Sequence, residues 1–171
     1  DCHRRRFKTK LIAMGMCGYD RVLIEPSGIF DMDEFFDALH EEPLDRWYQI
    51  GNVIAVVDAG LDEKMSEETD YILASEVADA GCIVLSKTQE ASEKSIENTV
   101  KHLNRALKAV HCKRKFGEDE IIRKDWEQFG TEDFERILNS GYIAEDYEKM
   151  SLDEKEVFKS LYFMDLEISR E

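Results

Sequence analysis

The sequence predicts an α/β domain in which a partial, mainly parallel, doubly wound sheet is followed by a helical C-terminal extension. Three short segments, at residues 20–25, 52–58 and 81–85, have the length of strands and contain consecutive apolar residues. The segment at 52–58 is apolar on both faces, which is typical of parallel strands covered by helices. Amphipathic helical patterns alternate with these runs, and this order is that of a layered α/β fold with right-handed crossovers.

Composition and charge narrow the class of protein. The 171 residues carry a net charge of −15, which argues against binding to nucleic acid or to anionic membrane surfaces. No apolar run approaches the roughly 20 residues needed to span a bilayer, and no signal peptide is recognisable. The four cysteines form no CxxC pair and no disulfide framework, which predicts a reduced, cytoplasmic protein.

The helices are predicted from apolar spacing and from capping residues. An amphipathic helix is expected over residues 4–15, and Asp31 with Glu34 forms a capping box for a helix at 32–40. Further helices are expected at residues 66–80 and 92–110, with a weaker strand at 108–115.

The chain changes character after residue 116. We predict a partial nucleotide-binding α/β domain over residues 1–116 and a strand-free helical extension over residues 117–171 that packs on it. Within the extension, residues 125–141 favour a helical pair or one broken helix, and Ser151 begins a last helix.

Polar residues follow each of the three predicted strands. The first is followed by Glu25-Pro26-Ser27-Gly28, the second by Asp58-Ala59-Gly60 and the third by Ser86-Lys87-Thr88-Gln89. Ligands of open α/β sheets bind outside the carboxyl ends of the strands, so these signatures together predict a ligand site. Taken singly, each is an ordinary strand-terminal turn.

In order and spacing, these signatures resemble the second half of a P-loop GTPase of the CobW/HypB/UreG type, the SIMIBI-class metal chaperones, over roughly residues 1–115. The resemblance implies that Glu25 supports Mg²⁺ through water and that the Gly28 amide, beside Ser27, approaches the terminal phosphate. It also implies that Asp58 ends the strand beside the nucleotide. The base would lie against Ser86, Lys87 and Gln89.

Two departures from the family pattern affect this interpretation. Gln89 stands where the family has a carboxylate that accepts two N–H bonds from guanine, and an amide offers only one acceptor and a donor. Guanine selectivity should therefore be reduced: GTP is the nucleotide that the resemblance implies, and ATP remains open. In addition, no Gly-x-x-x-x-Gly-Lys-Ser/Thr occurs, so the expected protein is a fragment whose phosphate loop lies upstream, and this chain alone is expected to be inactive.

A metal role is implied for the first residues. Family members carry a Cys-x-Cys-Cys motif at about the distance from the Glu-x-x-Gly strand where Cys2 and His3 stand here. Thiolate and imidazole suit Zn²⁺, and Co²⁺ or Ni²⁺ are other possible cargoes. A complete site needs three or four ligands, which upstream cysteines or a second chain would supply. The alternative is an unliganded thiol.

The leading hypothesis is a GTP-hydrolysing metallochaperone or metal-insertion protein that acts on a metalloprotein or metal-cofactor client. Whether it works as a monomer or as a homo-oligomer is left open by the sequence. The alternative is a degenerate, non-catalytic α/β scaffold that works through protein–protein contacts of an aromatic-rich tail containing Trp126, Phe129 and Phe134. A third alternative is an unrelated doubly wound domain that binds a small phosphorylated ligand.

Overall fold

The computed structural model describes residues 2–26 and 32–148. The helices are α1 (Cys2–Met16), α2 (Met32–Leu39), α3 (Leu44–Trp47), α4 (Glu67–Ala78), α5 (Glu93–Ala109) and α6 (Thr131–Leu138). The strands are β1 (Ile54–Asp58), β2 (Cys82–Ser86) and β3 (Ile121–Ile122), and 3₁₀ turns span Glu118–Glu120 and Trp126–Gln128. The chain divides into two compact units, Asp1–Gly51 and Asn52–Glu171. The predicted division at residue 116 stays a prediction.

The first unit is built from α1, α2 and α3 around a small apolar core. Leu11, Phe36 and Leu44 are buried, and the Tyr48 hydroxyl donates a hydrogen bond of 2.7 Å to the Leu11 carbonyl. A Cβ on Gly15 would lie 2.7 Å from the Trp47 ring, so the absence of a side chain lets α1 approach α3 closely.

The strand predicted at residues 20–25 is wrong. The chain runs there without regular secondary structure, and Leu23 is 89% exposed. Among the described residues no strand pairs with this segment. A strand is stable only when its backbone groups have partners and its side chains have a surface to cover, and an apolar run supplies neither by itself.

The second unit contains a three-stranded parallel sheet in the order β1-β2-β3. The strands predicted at residues 52–58 and 81–85 are therefore confirmed as β1 and β2, and α4 and α5 confirm the helices at 66–80 and 92–110. Right-handed crossovers between strands in sequential order place α4 and α5 on the same face of the sheet. A 2.5 Å hydrogen bond between His102 on α5 and Asp70 on α4 joins the two helices.

The two faces of the sheet differ in burial. Val57 on β1 and Ile83 and Leu85 on β2 are buried, and they belong to the alternation that packs under α4 and α5. Ile54 and Val56 point to the opposite face, where Val56 is 69% exposed. Because β2 is the only described strand that pairs with it, β1 is an edge strand of the described sheet.

Two expectations for the region after α5 are wrong. The strand foreseen at residues 108–115 does not form, since α5 continues to Ala109. The extension was expected to lack strands, but Ile121 and Ile122 pair in parallel with β2 and are buried. Two consecutive isoleucines are too short a run to predict a strand from sequence. They form one here because the edge of β2 offers backbone groups with which they can pair.

Arg114 fastens this region to α4. Its guanidinium donates a hydrogen bond of 2.6 Å to the Ala78 carbonyl at the end of α4, and a second hydrogen bond of 2.9 Å to the Glu120 carboxylate. It also stacks 4.3 Å above the Phe116 ring. A buried cation thus satisfies a helix C-terminus and a carboxylate at once.

The segment after α6 runs along the edge where the strands begin. Asn52 donates to the last carbonyls of α6, and Val53 donates 3.0 Å to the Gly141 carbonyl. At residue 148, the Glu148 amide donates a hydrogen bond of 2.8 Å to the Val110 carbonyl. The broken helix predicted at residues 125–141 corresponds to the turn Trp126–Gln128 followed by α6, whereas the helix predicted from Ser151 lies outside the described residues.

Candidate functional site

Polar residues of two neighbouring strands meet at the carboxyl edge of the sheet. Asp58 ends β1 and Ser86 ends β2, and the two residues are register partners. The Ala59 amide continues the pairing with a 2.9 Å bond to the Ser86 carbonyl. The structure therefore brings the second and third predicted signatures side by side, as expected for parallel strands.

Asp58 and Lys87 form an ion pair at this edge. Lys87 Nζ lies 2.6 Å from Asp58 Oδ2, while Asp58 Oδ1 accepts a 2.8 Å bond from the Gly60 amide. The Lys87 hydrogen bond, followed by that of Gly60, lowers the pKa of Asp58, and the Asp58 carboxylate raises the pKa of Lys87. Both groups are therefore charged at neutral pH. The sequence placed both residues in one site but did not predict their direct contact.

Lys87 begins a tight turn in an uncommon backbone conformation. Its φ is 55°, in the left-handed region that few residues other than glycine adopt. The Glu90 amide donates 3.0 Å to the Lys87 carbonyl, which closes the turn, and Gln89 is exposed within it. Such conformations cost energy and cluster at binding sites.

Side chains of α5 hold the loop that follows β1. The Thr99 hydroxyl, fully buried, donates 2.9 Å to the Ala59 carbonyl, and Ser95 reaches the same carbonyl at 3.4 Å. Further along the loop, Asn98 donates 2.7 Å to the Glu63 carboxylate. Sequence reasoning missed Thr99, although a hydroxyl on the apolar face of an amphipathic helix is a recognisable signal for such a contact.

The remaining predicted site residues belong to the first unit. Glu25 is exposed in the segment without regular structure. Ser27 and Gly28 lie outside the described residues, as do the side chains of Cys2 and His3. Their proposed roles stay predictions.

Within residues 5–26 and 35–148, no three His, Cys, Asp or Glu side chains lie close enough together to hold a metal ion. His111 bonds to Glu148 at 2.6 Å, and burial raises the pKa of the neighbouring Cys112 thiol. Over the same part of the chain, no helix combines the length and the apolar character that a membrane crossing requires.

The family model described as CobW/HypB/UreG, nucleotide-binding domain, matches residues 2–116. The chain belongs to this family. The resemblance seen in Asp58 and in Ser86 to Gln89 is therefore confirmed at the level of the family, and so is the nucleotide-binding class of the domain. No curated protein and no solved structure matches the chain significantly.

Proposed function

We propose that this CobW/HypB/UreG domain is the nucleotide-binding part of a GTP-dependent metallochaperone or metal-insertion protein. The observation that carries the proposal is the Asp58–Lys87 pair at the carboxyl edge of a parallel sheet. Family membership supports it, because the matched residues 2–116 include both members of the pair.

The base subsite consists of Ser86, Lys87 and Gln89. Asp58 holds the Lys87 ammonium group 2.6 Å away, so the aliphatic stem of Lys87 is the part that covers a purine face. The hydroxyl of Ser86 donates to the Val57 carbonyl at 3.3 Å, which fixes the start of the turn.

For the phosphates of the nucleotide, the family resemblance implies roles for Glu25, Ser27 and Gly28. Glu25 is an exposed carboxylate, and carboxylate and water oxygens are the ligands that Mg²⁺ prefers, so the donor fits that ion. Glu25 would orient a metal-bound water, and Gly28 would approach the terminal phosphate with its amide. Bound Mg²⁺ would neutralise negative charge on the phosphates during phosphoryl transfer to water.

Metal cargo is the second part of the proposal. Cys2 and His3 are soft ligands suited to Zn²⁺, Co²⁺ or Ni²⁺, and a metalloprotein or metal-cofactor client would receive the ion. Two ligands give an incomplete coordination shell, so the remaining ligands would have to come from outside these two residues, for example from a second chain.

The proposal is tested first at the base subsite. Titration of ¹⁵N-labelled chain with Mg-GDP at millimolar concentration should shift the amide signals of residues 86–89, and Lys87→Ala should abolish the shifts. Lys113→Ala, at an exposed lysine of the second unit, is the matched control and should leave them unchanged. Shifts that survive Lys87→Ala, or that appear elsewhere, would overturn the assignment.

Affinity for the complete nucleotide should be low. The sequence contains no Gly-x-x-x-x-Gly-Lys-Ser/Thr motif to bind the β- and γ-phosphates. Calorimetry with Mg-GTP should therefore detect no tight binding, and no hydrolysis is expected from this chain alone. Sub-micromolar binding would show that other residues cradle the phosphates.

A scaffold function is the second candidate, and one surface favours it. Trp126 is 67% exposed and Phe134 is 53% exposed, and Phe134 packs edge-on against Phe129 at 5.8 Å. Aromatic residues are enriched at protein–protein interfaces relative to the rest of the surface. Sedimentation tests the homo-oligomer form of this candidate: Trp126→Ala combined with Phe134→Ala should dissociate an oligomer held by this surface.

A further inference from the structure

Gln89 stands at the position where the family resemblance puts the residue that contacts the base edge. It is exposed in the turn after β2, and within the part of the chain that the structure describes its amide makes no hydrogen bond. Its oxygen and nitrogen are therefore both available to a ligand. The amide carries one acceptor and one donor group on the same plane.

The Asp58 carboxylate, at the same edge of the sheet, already has hydrogen-bond partners. Both oxygens of Asp58 are engaged, one by Lys87 Nζ at 2.6 Å and the other by the Gly60 amide at 2.8 Å. Glu90 follows Gln89 in the turn and is exposed, so it is the one nearby carboxylate that the experiment below must exclude.

An amide can pair with either purine. With guanine, the amide oxygen accepts a hydrogen bond from N1–H while the NH₂ group donates to O6. With adenine, the amide plane turns by half a rotation, so that the NH₂ group donates to N1 and the oxygen accepts from N6–H. A carboxylate only accepts, so it pairs with N1–H and N2–H of guanine and is repelled by N1 of adenine.

We infer that the turn Ser86–Gln89 binds adenine and guanine nucleotides with similar affinity, so that the nucleotide specificity of this chain is for purines as a class. The inference rests on the proposed function, because it concerns the same base subsite. It also goes beyond that function, because GTP is then one of two acceptable nucleotides.

The experiment compares Mg-GDP and Mg-ADP by amide shifts of residues 86–89 in the wild type and in Gln89→Asp. The wild-type affinities for the two nucleotides should agree within about threefold. Gln89→Asp should raise the ratio of the affinity for GDP to that for ADP by about tenfold, which is the discrimination that a bidentate contact to a base commonly provides. Gln128→Asp adds the same charge at an exposed glutamine in the turn Trp126–Gln128 and should leave the ratio unchanged.

The outcomes separate the two claims. A wild-type preference for GDP of about tenfold or more would overturn the inference while supporting the nucleotide site, and its loss in Glu90→Gln would identify Glu90 as the reader. An unchanged ratio in Gln89→Asp would also overturn the inference. Absence of shifts at residues 86–89 with both nucleotides would overturn the proposed function itself.

Discussion

Two short runs rich in aliphatic residues adopt different structures in this protein: one forms a strand and the other does not. Residues 21–24 lie in the first unit without regular structure and leave Leu23 89% exposed, whereas Ile54–Asp58 forms β1 and buries Val57. The difference is that β1 pairs with β2 over five register positions and rests under α4 and α5. The comparison shows that β-branched and aliphatic residues make a strand only when a neighbouring strand and a covering layer are present.

The largest effect should come from matched leucine truncations in the two regions. Leu85→Ala removes a side chain that is 2% exposed on β2 and should lower the free energy of unfolding by about 3 kcal/mol. Leu23→Ala removes a side chain that is already in water, and the change should stay within roughly 0.5 kcal/mol. Urea unfolding of both variants checks this, and a similar loss in both would mean that residues 20–25 are buried after all.

The next prediction concerns how β2 is held at its start. A Cβ on Gly81 would lie 2.2 Å from the Gly141 carbonyl oxygen and 2.4 Å from that of Ser140, both backbone atoms that cannot swing away. Gly81→Ala should therefore cost about 2–3 kcal/mol in the free energy of unfolding. It should also weaken amide-exchange protection of Val53, which donates to Gly141.

Gly51→Ala is the control for Gly81→Ala, because no atom lies within 4 Å of its added Cβ. It should be close to neutral. Equal costs for the two substitutions would show that loss of glycine flexibility, and not the contact with residues 140–141, sets the effect.

What the sequence predicted well is the part of the fold whose signals are local. The apolar spacing over residues 92–110 and the apolar runs at 52–58 and 81–85 all predicted elements that the structure contains. The family resemblance is likewise confirmed, since order and spacing of the strand-end motifs are properties of the sequence itself.

What the sequence could not predict depends on partners. Residues 20–25 needed a neighbour to become a strand, and Ile121–Ile122 became one because β2 offers an open edge. At the site, the pairing of Asp58 with Lys87 follows from the register of two strands 29 residues apart in the chain. Such contacts are visible only once the strands are aligned.

A pH-dependent effect should distinguish buried from exposed carboxylates in the two regions. Burial raises the pKa of Glu76, on α4, from 4.5 to about 7, and within the described residues nothing pairs with it. The folded state then holds a proton that the unfolded state has released. The free energy of unfolding should fall by roughly 2 kcal/mol as pH rises from 4.5 to 7.

Glu76→Gln should remove this slope, raising stability at pH 8 and leaving it nearly unchanged at pH 4. Glu25→Gln is the matched substitution in the exposed segment and should change stability at neither pH. Thermal unfolding across the pH range tests both variants. A slope that persists in Glu76→Gln would assign the pH dependence to another group.

The smallest effect should be at the carboxyl end of β1, where pairing with β2 has created an ion pair. The Asp58 carboxylate raises the pKa of Lys87, so Asp58→Asn should lower that pKa toward the ordinary lysine value. NMR titration of the Lys87 side chain measures this, and Asp62→Asn, at an exposed position of the same loop, should leave it unchanged. The pair is exposed, so its contribution to stability is small and high salt should screen it. A Lys87 pKa that does not respond to Asp58→Asn would mean that the two side chains do not pair, and strand pairing would then align the backbones of β1 and β2 at this edge without organising its charged side chains.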